Sequence, residues 1–409
     1  MCARQYCAAC PRHAVLSVCI RSKMKAAACV VALLIIRKLR RRKRLKKTRQ
    51  CWIRPLFQQR VKNLKVINYE IHYRTTQFLR LTLEEFEHIH TLVEPFIKKT
   101  DTHWRVAITT KERLAITLRY LATGDSYTSL QYIFHVSKQT ISKIVPEVCD
   151  ALVKALKDVI KLPVSEQDWK IVSKEFEEKW NFPHVIGALD GKHITIQAPF
   201  RSGTEYYNYK KYFSIVLLAL VDSNYNFMYV NVGSQGRISD GGVFKHCELY
   251  RKLENNQLNV PAPEILNIPY TTKVPYVILG DQAFALTKYM LTPFAGIHSK
   301  GSKERIFNYR LSRARRVVEN AFGILASKFR VLRNAIMLNP TSAKKVVLAA
   351  VHLHNFLRNS SSITTSNNSM NESVTLTPNE CIGGTPTDIR NFLAEHFMAN
   401  GSIIWQDRY

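Results

Sequence analysis

Residues 184–199, HVIGALDGKHITIQAP, decide how the rest of the chain is read. HVIGALD is a short apolar run that stops at an acid, and HITIQAP alternates polar and apolar residues as strands do. The second run is either the other half of the first strand or its neighbour. Downstream, FSIVLLALVD (213–222) and FMYVNVG (227–233) are two apolar strands separated by the turn residues Asp222, Ser223 and Asn224. Ser239 to Leu253 carries helical spacing. VPYVILGD (274–281) is a buried strand that again ends in an acid, Ser312 to Ala335 is a long amphipathic helix, and a last helix runs from Ala343 to about Arg358.

This order predicts an α/β layered domain over residues 166–359. It matches the ribonuclease-H-like fold: three antiparallel strands, a helix, a central parallel strand and a closing helix. Upstream, residues 51–165 read as a helical domain. Phe78, Leu79, Leu81, Leu83, Phe86 and Ile89 recur at helical spacing, and so do Leu114, Ile116, Leu118 and Leu121 before Gly124 stops that helix. Ser129 to Leu152 reads as helix, tight turn, helix, with Val136 buried in the turn and Ser137 as cap. Lys138, Gln139, Thr140, Ser142 and Lys143 then crowd the first turns of the second helix. A helix-turn-helix presents side chains to DNA there, but a plain helical hairpin packed on the next domain fits the same pattern.

The charge is lopsided. Of the formal +29, residues 1–60 contribute +17, with no acid before Glu70, and ten of the thirteen residues from Arg37 to Arg49 are basic. Such a block repels itself and stays solvated, which suits a nuclear import receptor or a polyanion, or else a merely solubilising arm. Residues 1–50 are expected to be this arm, 360–385 a Ser/Thr/Asn-rich linker, and 386–409 a closing segment with a small helix and a strand that docks back. The apolar run Ala26–Ile36 has eleven residues, whereas a membrane span needs about 20, so no membrane partner is expected. Met24 is a second candidate start. Nine scattered cysteines, an odd number, suggest free thiols rather than a disulfide frame. The cluster Cys2, Cys7, Cys10, Cys19 holds one C-x-x-C pair, and no second pair follows at finger spacing.

Three acids stand in telling places: Asp190 ending the first strand, Asp281 ending the later buried strand, and Glu319 in the long helix. Val318, Phe322, Leu325 and Phe329 make that helix's core stripe, and Glu319 lies about 100° round from Val318, at its edge. Taken singly, Asp190 and Asp281 could be turn or cap residues, and Glu319 could pair with Arg315 or Arg316. Together they suit phosphodiester cleavage, in which two hard cations about 3.5–4 Å apart activate the nucleophile and stabilise the leaving oxygen. Mg²⁺ or Mn²⁺ takes oxygen ligands, one or two carboxylates each. Asp240, in GRISDGGVF, is either a further metal contact or the cap of the helix that follows.

LATGDSYTSLQYIF (121–134), NFPHVIGALDGKHI (181–194), YYNYKKYFSIVLLALVD (206–222), GRISDGGVF (236–244), GDQAF (280–284), RARRVVENAFGILASKFRVL (313–332) and LHNFLR (353–358) together resemble the DDE superfamily endonucleases of PIF/Harbinger transposons and the nucleases derived from them. The likeness covers most of residues 50–359, plus FLAEHF and SIIWQ near the end. It implies a catalytic triad of Asp190, Asp281 and Glu319, with Asp240 as an additional metal ligand and Mg²⁺ or Mn²⁺ as cofactor. It also implies DNA as substrate, a Myb/SANT-like DNA-binding protein as partner, self-association, and residence in the nucleus with cytoplasm as a second compartment. The alternative is a domesticated, catalytically silent DNA-binding or chromatin-adaptor protein, and all four acids being present argues against it. Tyr209, Lys210 and Lys211 interleave an aromatic with cations, as nucleic-acid stacking requires, although YYNYKK also fits a buried tyrosine corner. Arg310, Arg313, Arg315, Arg316, Lys328, Arg330 and Arg333 make the closing helix basic, which suits phosphates. His352 and His354, in an apolar helix, read as packed residues rather than ligands.

Overall fold

The computed structural model describes residues 30–38, 75–101, 103, 106–266, 272–362, 385–404 and 406. Met1–Gln59 form one unit, in which residues 30–38 are helical. Among the described residues no helix is long and apolar enough to cross a membrane. The basic block after Lys38, the cysteine cluster and the 363–384 linker lie outside the described residues.

The second unit, Arg60–Tyr409, begins with helices α1 (Thr75–Phe78), α2 (Leu83–Ile97), α3 (Thr110–Thr123), α4 (Tyr127–Phe134) and α5 (Lys138–Ala155), followed by α6 (Glu166–Trp180). Local chemistry sets their limits. Thr82 and Glu85 form a reciprocal capping box at the start of α2. Gly124 ends α3 in the left-handed region, with φ 74°. His135 turns α4 off in the same conformation, Val136 is buried in the three-residue turn, and the Ser137 hydroxyl accepts from Thr140 N to start α5.

The sheet follows: β1 (Val185–Thr195), β2 (Ser214–Val221) and β3 (Phe227–Gln235), then α7 (Asp240–Lys245) and α8 (Glu248–Glu254). After these come the two-residue strands β4 (Glu264–Ile265) and β5 (Lys273–Val274), then β6 (Val277–Leu279) and β7 (Met290–Leu291). α9 (Lys303–Lys328), α10 (Pro340–Ser362) and α11 (Pro386–Met398) complete the unit. The main sheet has the order β3-β2-β1-β6-β7. Its first three strands are antiparallel neighbours, and β6 and β7 are parallel to β1 and to each other. That is the expected ribonuclease-H-like order in a mixed α/β layer, with a helical region before it.

Three expectations need correcting. HVIGALD and HIT belong to one continuous β1, the first of the two readings left open for HITIQAP. Asp190 therefore lies inside a strand and does not end it. The long helix starts at Lys303, nine residues earlier than its apolar stripe suggested, and gives way after Lys328 to a 3₁₀ turn, Arg330–Arg333. The closing segment supplies a helix, and no strand is found there among the described residues.

Helices cover both faces of the sheet. Ala188, Ile194, Leu217, Ala219 and Leu279 pack with α2, α3, α5, α9 and α10, so the N-terminal helices and the sheet share one core. Ile186, Leu189, Val216, Leu218 and Ile278 face α6, α7 and α8 through Trp169, Val243, Phe244 and Leu249. A register shift between Val185 and Gly187 lets the two-residue alternation of β1 restart, which places Asp190 on the α9 face and Gly191 on the α7 face.

Candidate metal centre and nucleic-acid interface

Asp190 stands opposite Ala219 in the antiparallel ladder with β2. On its other side the parallel partner β6 pairs only with Val185 to Ala188 and stops at Leu279. Beyond that point β1 has a strand on one edge alone, and Asp281 follows two residues after β6 ends. A single continuous strand with a short parallel partner thus does for Asp190 what a strand end would do: it opens the sheet beside the carboxylate.

Asp190 is largely buried, with 15% of its side chain exposed. Its Oδ1 accepts from Gly191 N at 2.8 Å, and Arg315 Nη1 of α9 approaches Oδ2 at 3.3 Å. Burial pushes the Asp190 carboxyl up to about 6. Arg315 and the Gly191 N–H pull it back, and the charges of Asp281 and Asp240 push it further. Arg315 Nη2 also donates to Glu319 Oε1 at 2.5 Å, four residues along the helix. One guanidinium therefore ties Asp190 to Glu319. The core stripe of α9 behaves as read, with Val318, Phe322, Leu325 and Phe329 buried and Glu319 exposed beside it.

Asp240 reaches the same place from the opposite face of the sheet. Ser239, whose hydroxyl accepts from Gly242 N, caps α7, and so the capping role left open for Asp240 belongs to its neighbour. Instead the Asp240 carboxylate rests on the backbone of Gly191: a Cβ there would lie 2.1 Å from Asp240 Oδ1. Likewise a Cβ on Gly241 would meet Ala283 O at 2.4 Å, which seats α7 against the loop carrying Asp281. Burial, then Asp281, raises the Asp240 carboxyl, and Lys210 opposes them. Asp240 Oδ1 is buried without a hydrogen-bond partner, an arrangement that costs about 1–3 kcal/mol unless something else supplies a positive charge. Asp281 Oδ1 accepts from Ala283 N at 2.9 Å, a turn bond that leaves its second oxygen open.

Asp190, Asp240 and Asp281 are thus within electrostatic reach of one another, and Arg315 links Glu319 to them. Among the described residues, no three His, Cys, Asp or Glu side chains already converge in metal-binding geometry. The reason is visible: Asp190 and Asp240 approach from opposite faces of β1, and Arg315 stands where Asp190 and Glu319 meet.

The residues proposed to touch DNA divide by exposure. Lys138, Gln139, Ser142 and Lys143 are exposed on the first turns of α5 and Thr140 is partly covered. In the 196–213 loop Tyr209 is 78% exposed and Lys210 and Lys211 are also exposed, whereas Tyr206 packs on the core and Asn208 is buried. YYNYKK accordingly supplies both a buried anchor and an exposed aromatic-cation face. Tyr209 meets His193 of β1 edge-on, with ring centroids 5.6 Å apart. On α9, Arg316 is exposed, while Arg313 reaches Asn181 Oδ1 at 3.4 Å. Arg310 is no phosphate contact. It is buried, stacks on Phe397 at 3.8 Å and donates to Gly401 O and Asn181 O, pinning the closing segment. His352 and His354 are packed as read, hydrogen-bonding Leu348 O and Tyr225 O. Cys149 and Cys247 are free and buried. Arg315, read from the sequence as a partner of Glu319 or a phosphate contact, also contacts Asp190. Its i,i+4 pair with Glu319 was legible, but its contact with Asp190, 125 residues away, was not.

Residues 189–355 match the family of DDE superfamily endonucleases, in agreement with the resemblance drawn from the motifs. The chain is 26% identical over 293 residues to the Arabidopsis thaliana protein named Antagonist of like heterochromatin protein 1, covering 70% of this chain and 73% of that one. It is 26% identical over 251 residues to the Arabidopsis thaliana Protein ALP1-like, 60% of each chain. It is 25% identical over 253 residues to the human protein named "Putative nuclease HARBI1", 61% of this chain and 67% of that one. No solved structure matches.

Proposed function

We propose that the chain is a divalent-metal-dependent DNA endonuclease and strand transferase, with Asp190, Asp281 and Glu319 as its catalytic acids and Asp240 as a further ligand. The observation that carries this reading is the unsatisfied charge at the open edge of β1. Two carboxyls raised by burial lie within reach of Asp281, one of them with an orphaned oxygen. A fold does not keep such a cluster for stability. The donor set, all carboxylate oxygen, fits Mg²⁺ or Mn²⁺. When bound, such ions activate an oxygen nucleophile and stabilise charge on the leaving oxygen. Asp190, held in the sheet, gives the site a fixed ligand. Asp281 sits on a loop and Glu319 on a helix face, so both have freedom to adjust.

DNA would lie across the cations around this edge. Tyr209 offers a face for a base, Lys210, Lys211, Arg313 and Arg316 offer charge to phosphates, and the exposed start of α5 (Lys138, Gln139, Thr140, Lys143) is offered as a second DNA contact. A Myb/SANT-like DNA-binding partner, self-association and a nuclear location belong to the same proposal. They rest on the family resemblance and on the basic block from Arg37 to Arg49. The Arabidopsis relative's name, which opposes it to a like heterochromatin protein, supports a chromatin setting.

The test is nicking of supercoiled plasmid by the full chain in Mg²⁺ or Mn²⁺. Wild type converts it to open circles and Asp190→Ala does not. If both give the same background, the protein is a silent DNA-binding or chromatin-adaptor member of the family and the enzyme reading fails.

A further inference from the structure

We propose that Arg315 is a built-in counter-ion that fills the cation position between Asp190 and Glu319 and yields it when a divalent ion binds. The proposal rests on the nuclease reading above and adds to it a competitor carried on the chain itself. Three observations support it. The guanidinium divides its donors, Nη1 to Asp190 at 3.3 Å and Nη2 to Glu319 at 2.5 Å, and so bridges two carboxylates that come from a strand and a helix. The side chains of Arg315 and Asp190 are only 17% and 15% exposed, so that half of the bridge is no loose surface pair, while Glu319, 49% exposed, is the half free to let go. Lys192, another cation close to Asp190, is turned over the ring of Phe322 with Nζ 5.7 Å from its centroid.

The physics is a competition for the same oxygens. A carboxylate as sheltered as Asp190 needs a positive partner, and a planar guanidinium with forked donors supplies one without folding work elsewhere. Placing Arg315 and Glu319 four residues apart on α9 lets a change of side-chain rotamer, with no movement of the helix, release Glu319. The released guanidinium stays beside the acids, where a phosphate oxygen is its natural next partner. Arg315 is therefore a positioning residue, holding Asp190 and Glu319 together and setting how much divalent ion is needed to part them.

The experiment is calorimetric titration of the full chain with Mn²⁺, without DNA, for wild type, Arg315→Met, Arg315→Lys and Asp190→Asn, with circular dichroism to show that each is folded. Removing the competitor while keeping its length should tighten Mn²⁺ binding by about tenfold or more, the effect of one charge-assisted bond. Arg315→Lys keeps a cation but loses the fork and should fall between wild type and Arg315→Met. A purely structural role for Arg315 could only weaken binding. If folded Arg315→Met and Arg315→Lys bind Mn²⁺ no tighter than wild type while Asp190→Asn loses it, the counter-ion proposal is overturned and the metal centre stands. If wild type binds no Mn²⁺, both fall together.

Discussion

Two sheltered aspartates flank the β1–β2 ladder: Asp190 within β1 opposite Ala219, and Asp222 three residues beyond Ala219, just past the end of β2. Burial raises the carboxyl of each. Asp222 is answered entirely within its own turn. Its Oδ1 accepts from Asn224 N and Asn226 N, both at 2.8 Å, and its Oδ2 from Asn226 Nδ2 at 3.0 Å. The surroundings are also well bonded, with Asn226 Oδ1 the one buried oxygen of this turn left without a partner. His354 hydrogen-bonds Tyr225 O, and Asn355 bonds both N and O of Phe227. Asp190 has one backbone N–H and a long side chain shared with Glu319, and two further acids face it. The same residue type closes a hairpin in one place and, in the other, keeps a charge that its neighbours leave largely unmet. Hydrogen-bond satisfaction, rather than burial or pKa, separates the two, and it is the ground on which only Asp190 is proposed as a ligand.

The largest effect that would break this comparison is on cleavage. Asp190→Asn keeps shape and the Gly191 contact but removes a metal-binding charge, so plasmid nicking should fall by about a thousandfold or more. Asp222→Asn, equally sheltered, should leave nicking per folded molecule within a few-fold of wild type. If the two fall alike, the distinction between them is wrong.

Stability should respond the other way round. Asp222→Ala strips the acceptor from three donors in a largely enclosed turn and should cost about 2–4 kcal/mol in urea unfolding. The neighbouring His354 sharpens the point through pH. Burial holds its imidazole down to about 4. A histidine depressed in the folded state stabilises fully above its unfolded value of about 6.5, and that contribution is lost as pH falls towards 4. His354 should contribute a loss of up to about 3 kcal/mol over this window, against the opposite contribution of Asp190, so the gap in stability between wild type and His354→Gln should change by that amount as pH falls. An equal slope in both would remove His354 from the hairpin's support.

Much of this was readable in the chain. The apolar runs at 185–189, 214–221 and 277–279 gave the strands in order, and the stripe Val318, Phe322, Leu325, Phe329 put Glu319 at its edge, because such patterns reflect a local burial choice. What escaped was every feature made by pairing. Asp190 was read as a strand terminus because nothing local reveals that β6 pairs with only half of β1. The sequence leaves Asp240 between ligand and cap, and only the folded turn shows that Ser239 occupies the cap. Arg310 was counted with the phosphate-binding arginines because its burial depends on Phe397, 87 residues further along. Asp222 was read only as a turn residue, since its three donors become evident once the turn has closed.

The smallest expected effect is also the most discriminating. Because folding raises the Asp190 carboxyl from about 3.8 to about 6, the folded protein binds the proton more tightly than the unfolded chain. That contribution is fully present below about pH 4 and is lost as pH rises through 6. In metal-free buffer at pH 7.5, Asp190→Asn should therefore be more stable than wild type, by about 1–2 kcal/mol after allowing for the weakened Arg315 contact. The gain should disappear near pH 4, where wild-type Asp190 is itself neutral. Asp222→Asn should show no net gain, because although burial raises that carboxyl too, an amide cannot accept from Asn226 Nδ2 while also accepting from both backbone donors. A structural acid is missed when it is removed, and an acid waiting for a cation is not missed until the cation arrives. Adding Mn²⁺ should accordingly raise the melting temperature of wild type and leave Asp190→Asn where it was, reversing their order.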